Sequence, residues 1–504
     1  MSKDALELVA GVDIGLTGMK VVAFDLKGNI VASASAPSPQ NLPKPYWIER
    51  DGHDYWDAFG GMCRDLNAQI AGLGGKVLSI GISAHGDGAW LIDDEFNPTR
   101  PGILSLDSRA IDTAAKLMDE HKDDLIRVTG QGVVPASTGA VLKWIADNEP
   151  EAIDKASWFV AAKDFLRIWL TGEVGTDLTE ASTAFCNVRT QDYDDEAFSI
   201  YGLDVLRDKA PQIDACTKVV GTVIELASKH TGFPVGTPVV AGCHDVDAGA
   251  IGAGAVLPGH LAVMAGTWSI NEVITDKPTV GDGWLARSFV EKGLWMNMSI
   301  SPASSANLEW FINTLCAAEA DAARRDGRSP YAFVDEEVSQ VKDDDQPAFF
   351  VPFLYGNPMG IDASAVFSGL RAWHTRGNIL RAIYEGIAFT HKIHCDWLID
   401  AMDVTEVRVV GGVSNSKIWP QYFADCLNKP ILIPEVREGG ALGTAMLAAV
   451  GAGAFSDLAA AAEAMGSSTR QIDPTQKGVE LMASRYEAFT QQVDLQKPWW
   501  AANK

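Results

Sequence analysis

The chain has 504 residues, 47% of them hydrophobic and 21% charged, and a formal net charge of −25. A chain of this length and composition folds into about two to four domains with large buried cores and little disorder. The acidic balance argues against a nucleic-acid partner but leaves a local phosphate site open.

Seven cysteines are scattered without any Cys-x-x-Cys, which fits ordinary buried thiols in a reducing, cytoplasmic setting. The first ten residues carry Lys3, Asp4 and Glu7 and do not read as a signal peptide. Two stretches lack formal charge, Ala248 to Asn271 and Gly439 to Ser456. The first is broken by Pro258-Gly259-His260 and the second is mostly Gly and Ala. A membrane span needs about 20 apolar residues in sequence. Both stretches read instead as closely packed core, and no membrane partner is expected.

In chain order, Leu8 to Asp13 reads as a strand and Met19 to Asp25 as a second. Leu26-Lys27-Gly28-Asn29 reads as a turn and Ile30 to Ala36 as a third strand. Between the first two strands lies a glycine-bearing loop, Ile14 to Gly18. Strand, glycine loop, strand is not the Rossmann or P-loop order, in which a helix follows the loop. It is the order of the actin-like ATPase architecture, where a hairpin turn grips phosphate through backbone N–H groups. The pattern returns with His260 to Ala265, Gly266-Thr267 and Ser269 to Thr275, which suggests a duplicated domain. The Gly-rich run from Gly252 to Gly259 marks the boundary, giving domains 1–254 and 255–504. Val77 to Ser83, Thr237 to Gly242 and Val407 to Gly412 read as buried strands. Tyr55 to Gly72, Ser304 to Cys316, Asn378 to Ile399 and Gly440 to Val450 read as helices, so the class is alternating α/β. The expected fold is two actin-like (ribonuclease H-like) ATPase domains with a cleft between them.

Five stretches could carry chemistry. In Asp13-Ile14-Gly15-Leu16-Thr17-Gly18-Met19-Lys20, the glycines let backbone approach phosphate oxygens and Thr17 offers a hydroxyl. Lys20 offers a point charge and Asp13 a ligand for a metal ion or its waters. The bland alternative is a plain hairpin. Gly266 and Thr267 repeat that context in the other half. In Val409 to Ser416, the pair Gly411-Gly412 lets a flat ring lie on backbone, and Asn415 or Ser416 could bond an adenine edge. The alternative there is an N-cap. In Gly242-Cys243-His244-Asp245-Val246-Asp247, at a strand's C-terminal end, Asp245 or Asp247 could accept a hydroxyl proton. An Asp N-cap on a helix starting near Ala248 competes, and Asp247 suits it better. Finally, His85 and Asp87, with Asp107 and Arg109 beyond, offer the mixed charges a polyhydroxylated ligand needs. The His391-x-x-His394-Cys395 spacing resembles a metal face, but the surrounding apolar helix favours a structural role.

Taken together, these motifs resemble the FGGY family of carbohydrate kinases over essentially the whole chain. Asp13 to Lys20 matches its first phosphate loop and Asp107-Ser108-Arg109-Ala110 its substrate stretch. Lys163 to Leu166 with Leu170 to Asp177 matches its central segment, and Gly242 to Gly254 its catalytic loop. Gly266-Thr267 matches its second phosphate loop, and Gly411-Gly412 with Gly439 to Ala445 its adenosine region. Ser301 to Phe311, Phe350 to Gly356 and His374-Thr375-Arg376 look like the L-xylulose and 3-keto-L-gulonate kinase branch. Two positions depart from common patterns. Leu16 stands where many members have Thr or Gly, and Asp87 where D-xylulose kinases carry His and glycerol kinases Glu.

The resemblance implies transfer of the ATP γ-phosphoryl group to a terminal hydroxyl, with Asp245 as base. Gly15, Thr17, Gly266 and Thr267 would hold the phosphates, with Mg²⁺ near Asp13. His85, Asp87, Asp107 and Arg109 would hold the sugar, and domain closure would exclude water. A small ketose such as L-xylulose ranks first, with erythritol-like polyols and D-xylulose as alternatives. An actin-like ATPase without sugar kinase activity is the competing class, and a sugar-binding regulator without catalysis a third. A homodimer is the assembly kept in view, although the sequence does not give the oligomeric state.

Overall fold

The computed structural model describes residues 6–342 and 346–502. Of the segment 1–10, whose charges argued against a signal peptide, residues 1–5 lie outside the described residues. The chain forms two compact units. One comprises Met1–Pro258, Ile274–Asn297 and Val436–Ser467, and the other Gly259–Val273, Met298–Glu435 and Ser468–Lys504. The units are thus interleaved in sequence, whereas the expected division at 254/255 was a single cut.

The first unit is built on a seven-stranded sheet. Its centre is the strand Leu6–Ile14, paired antiparallel with Gly18–Asp25 and parallel with Gly75–Ala84. Ile30–Pro37 extends one side, while Pro238–Val240 and Val219–Thr222 extend the other. The central strand is a near-continuous apolar run because both faces are covered. The helix Gly52–Leu73, capped by Asp51 through the N–H groups of His53 and Asp54, buries Tyr55, Phe59, Met62, Leu66 and Ile70.

The Ala-rich helix Gly439–Gly451 belongs to this unit, and glycine explains why. A Cβ on Gly11 would stand 1.8 Å from the Ala441 carbonyl oxygen, and one on Gly81 2.3 Å from that of Thr444. Ser79 donates to the Ala448 carbonyl at 2.6 Å. The helix backbone therefore rests on sheet backbone, a contact only small residues allow. This is why the second uncharged stretch is core from Ala441 to Ala449, as expected, whereas its end, through Ser456, is not. The first uncharged stretch begins in the helix Asp245–Gly252 and continues through the strand His260–Ala265. Among the described residues no helix is long and apolar enough to cross a membrane.

The second unit repeats the motif. His260–Ala265 pairs antiparallel with Ser269–Thr275 and parallel with Glu406–Gly411. Ile431–Pro434 and Thr469–Ile472 continue the sheet. The helix Arg376–Ala401, with a Thr375/Asn378 capping box, carries His391 and His394. Both histidines are structural, as the apolar helix suggested. His391 contacts Ser269, Asn271 and Ser304, and His394 contacts Ser299 and Ser301, all at 2.7–3.0 Å. Burial pushes both imidazoles down to about 3, so they are neutral. Among the described residues no group of three or more metal-binding side chains occurs.

Candidate functional site

In the first unit the short strand Cys243–His244 pairs with Gly75–Ala84 and leads straight into the helix Asp245–Gly252. The helix begins three residues before the expected start. His244, extended at φ −61° and ψ 147°, takes the N-cap place, so Asp247 is not the cap. The two acids are therefore unequal. Asp247 is 4% exposed, and its Oδ1 has no hydrogen-bond partner. The side chain of Asp245 keeps 31% of its surface open. A proton acceptor must be reachable, and Asp245 is the reachable one.

Burial pushes the Asp245 carboxyl up to about 8, and the charges of Asp13 and Asp87 push the same way. The N–H groups of Val246 and Asp245 itself act in the opposite sense. Asp247 is driven up first by burial and then by Asp177 and Asp245. His244 Nε2 lies 3.3 Å from Asp245 Oδ1, and burial keeps that imidazole neutral. Its ring packs over Gly86, where a Cβ would stand 2.4 Å from Nε2.

Asp13 sits at the end of the central strand, opposite Lys20 across the hairpin. Ser83 Oγ donates to Asp13 Oδ1 at 3.4 Å, and burial raises the carboxyl above its ordinary value. A half-buried carboxylate at a strand end suits a divalent ion, so Asp13 fits Mg²⁺. Lys20 Nζ is 3.0 Å from Glu438 Oε2, which holds its charge beside the loop. In the loop, Gly15 N–H donates to Gly18 O at 2.9 Å, closing the turn. Thr17 and Gly18 form its exposed tip.

Arg50 was not anticipated from the sequence. It is fully buried and donates to Leu16 O at 3.0 Å and Pro39 O at 2.7 Å. Its Nη1 lies 3.3 Å from His85 Nε2, which assigns that nitrogen as the acceptor. One side chain thus ties the first glycine loop to His85, whose imidazole is held down to about 3 by burial and by Arg50.

Asp87 occupies left-handed backbone at φ 57°, a conformation uncommon outside glycine. Arg287 Nη2 donates to both of its oxygens at 3.3 Å, and Arg287 Nε to Gln131 Oε1 at 2.7 Å. Asp87 keeps 20% of its side chain exposed. Arg287 was also missed by sequence reasoning, since nothing local marks it.

Asp107 and Arg109 behave differently from the expectation of sugar contacts. Arg109 bonds both Asp107 oxygens, at 3.0 and 2.8 Å, and its Nη1 is 2.8 Å from Glu49 Oε1. Asp107 also accepts the Ile48 N–H at 2.6 Å, and Arg109 stacks 4.1 Å from the Trp47 ring centre. Both side chains have 0% exposure, so they buttress the segment 46–50 and present no surface to a ligand.

In the second unit the loop between Ala265 and Ser269 exposes Thr267 and Trp268 at its tip. Ser305 anchors its base, donating its N–H to Gly266 O at 3.0 Å and its hydroxyl to Ala265 O at 3.1 Å. Gly411, at φ 96°, lies against this loop. A Cβ there would stand 2.6 Å from Ala265 O. Gly412 and Asn415 bound a 3₁₀ turn. Ser416 is committed: its Oγ donates to Asp335 at 2.6 Å and accepts the Trp419 N–H at 2.9 Å. Asn415 is exposed. Beside Thr267 and Trp268 opens a cavity of about 540 Å³, lined also by Glu309, Trp310, Asn313, Thr314 and Tyr355.

Residues 8–252 match the FGGY family of carbohydrate kinases, N-terminal domain, and residues 261–452 the C-terminal domain. The chain is 28% identical over 484 residues to an Escherichia coli L-xylulose/3-keto-L-gulonate kinase, covering 95% of each. It is 30% identical over 445 residues to a Haemophilus influenzae protein named "Probable L-xylulose kinase", covering 87% of this chain and 89% of that one. A xylulose kinase structure from Rhodospirillum rubrum superposes with a TM-score of 0.90 at 25% identity, covering 98% of this chain and 100% of that one.

Proposed function

Because the chain belongs to the FGGY family of carbohydrate kinases, and is a sugar kinase with ATP as phosphate donor, we propose that it phosphorylates a terminal hydroxyl of a small neutral ketose of the L-xylulose type. The observation that carries this reading is Asp245, the accessible acid at the start of its helix, whose carboxyl feels the charges of Asp13 and Asp87.

In the proposed reaction the acceptor oxygen forms a bond to the γ-phosphorus, and the bond from that phosphorus to the β-bridging oxygen breaks. ADP leaves, and the hydroxyl proton passes to an oxygen of Asp245 in its ionised form, the form that gains weight as pH rises toward about 8. The transition state is loose, so alignment matters more than base strength. Asp87 accepts hydrogen bonds from acceptor hydroxyls, and His85 shapes the pocket while Arg50 fixes it. Asp107 and Arg109 act one step back, holding Trp47 and Ile48. Gly15, Thr17 and Lys20 serve the phosphates from residues 1–254. Gly266, Thr267, Gly411, Gly412 and Asn415 serve the nucleotide from residues 255–504, with Ser416 shaping the turn. Asp13 would hold a Mg²⁺ ion, which would supply charge neutralisation when bound.

Asp87 supplies a carboxylate, which accepts more than one hydroxyl hydrogen, where a neutral imidazole has one acceptor nitrogen. Mismatched stereochemistry leaves buried polar groups unpaired, at about 1–3 kcal/mol each. We therefore expect at least roughly tenfold discrimination in kcat/KM between stereoisomers. Arg287 offsets the Asp87 charge, which lessens the penalty on an acidic acceptor. Neutral ketoses still rank first, polyols such as erythritol second and sugar acids third.

A coupled ADP-release assay over L-xylulose, erythritol, 3-keto-L-gulonate, D-xylulose and glycerol tests the substrate. Highest kcat/KM on D-xylulose or glycerol would overturn it. Asp245→Asn tests the base, with an expected loss in kcat of at least ~10²-fold and little change in ATP affinity. A loss under about tenfold would remove Asp245 from that role.

A further inference from the structure

Thr179 lies 65 residues before His244 in sequence, yet its hydroxyl is bonded to that residue's backbone. The path into Asp245 is confined at several points. Gly242 turns in left-handed backbone at φ 79°, and a Cβ there would stand 2.0 Å from Ile82 O. Its N–H donates to Cys216 O at 3.1 Å. On one side of the turn, Lys163 Nζ donates to Ala241 O at 3.1 Å. On the other, the His244 N–H donates to Thr179 Oγ1 at 2.9 Å.

These two anchors share one source. Lys163 Nζ lies 2.5 Å from Asp177 Oδ2 and 2.6 Å from Asp164 Oδ1. The other Asp177 oxygen accepts the Thr179 N–H at 2.8 Å and the Thr179 hydroxyl at 2.5 Å. Lys163 and Asp177 have no exposed side-chain surface, and Thr179 is 1% exposed. With its proton committed to a carboxylate, the Thr179 hydroxyl can offer the His244 amide only a lone pair. Its orientation is thereby fixed.

A buried ion cluster of this kind is weak evidence for stability, because desolvation offsets much of the attraction. Its geometric effect is clearer. It holds the backbone of the residue immediately before the base, at the N-cap of the helix that Asp245 opens. A displacement of about 1 Å at a reacting group can cost ~10²-fold in rate. We propose that Thr179 is a positioning residue for the phosphoryl-transfer reaction, fixing Asp245 through the His244 backbone N–H. It does not touch the substrate. The inference rests on Asp245 being the base.

Thr179→Val keeps the shape and removes the hydroxyl, whereas Thr179→Ser keeps the hydroxyl. The expected result for Val is a fall in kcat of at least about tenfold, with KM for sugar and for ATP within about threefold of wild type. Ser should restore kcat to within about threefold of wild type. A merely structural role would lower the melting temperature and leave kcat in place. In an Asp245→Asn background, Thr179→Val should lower kcat no further, because both changes remove one effect. If the Val protein does not fold, Thr179→Cys, a weaker acceptor, should fall between Ser and wild type on one side and inactive protein on the other. Wild-type kcat in Thr179→Val, or in Thr179→Cys where Val is not obtained, overturns the role of Thr179. When Asp245→Asn is inactive in the same series, the base survives that result. Full activity in Asp245→Asn overturns the base and this inference together.

Discussion

The two glycine hairpins share a topology and differ in what they carry. In the first, Asp13 stands two residues before Gly15; in the second, Met264 stands two residues before Gly266. The first loop spans Gly15 to Gly18 and is braced by Arg50, with a half-buried acid at its root. The second spans Gly266 to Trp268 and is braced by Ser305. It has no acid there and opens on a cavity of about 540 Å³. A duplicated frame thus supports a charged site in one unit and an open cavity in the other. The frame comes from strand pairing; the chemistry comes from one or two side chains placed on it.

The largest expected effect breaks that contrast at its acid. Asp13→Asn keeps the hairpin but removes the carboxylate, and kcat should fall by at least ~10²-fold, as for loss of one transition-state stabiliser. Met264→Leu, a volume-conserving change at the matching place, should leave kcat within about threefold. Steady-state kinetics across a magnesium titration would read both. Comparable losses in the two variants would mean that the hairpins do not divide the work as described.

A smaller effect is expected at the second loop's apex. Among the described residues, and apart from its chain neighbours, no atom lies within 4 Å of a Cβ placed on Gly266, so Gly266→Ala meets no packing clash there. Its melting temperature should match wild type, while the added methyl crowds a bound phosphate and raises KM for ATP by about tenfold. An unchanged KM would remove Gly266 from the phosphate contacts. Smaller again is the pair after Gly412. Ser416→Ala should cost about 1 kcal/mol of stability with KM for ATP unchanged, as for a lost helix cap. Asn415→Ala should raise KM for ATP about threefold and leave stability alone. Chemical denaturation alongside kinetics separates the two.

Much of the frame could be read from the sequence because its signals are local. The strands read at Leu8 to Asp13, Met19 to Asp25, His260 to Ala265 and Ser269 to Thr275 reappear within two residues. The strand of Thr237 to Gly242 shrinks to Pro238–Val240, since the chain turns at Gly242. What could not be read is pairing across long separations. Arg287 meets Asp87 across 200 residues, and Thr179 meets His244 across 65. Asp107 and Arg109 were visible as a polar pair. Their inward orientation depends on Trp47, Ile48 and Glu49, which no local pattern joins to them. The length of the helix at Asp245 was misjudged for a related reason. Asp247 is a good cap by residue type, but the short strand Cys243–His244 fixes the start three residues earlier.

The acid of the first hairpin also acts at a distance, and this gives the smallest and most specific expectation. Asp245 in the ligand-free protein is raised from 3.8 to about 8, by burial first and Asp13 next, with Asp87 contributing. A carboxyl whose folded pKa is raised holds its proton where the unfolded chain has released it. The unfolded state then binds fewer protons than the folded state between pH about 4 and about 8, so this group's contribution to stability falls as pH rises through that window. It is fully favourable below the unfolded value and levels off above the folded one. Asp245→Asn cannot ionise and lacks this slope. The melting temperature of Asp245→Asn should therefore gain on wild type steadily from pH 4 to 8 and hold a constant lead above that. Asp87→Asn removes one of the charges that raise Asp245, so comparing it with Asp87→Asn/Asp245→Asn should move the levelling point to lower pH. A difference between wild type and Asp245→Asn that does not change with pH would mean that Asp245 is ionised throughout, and that the first hairpin's acid does not reach it.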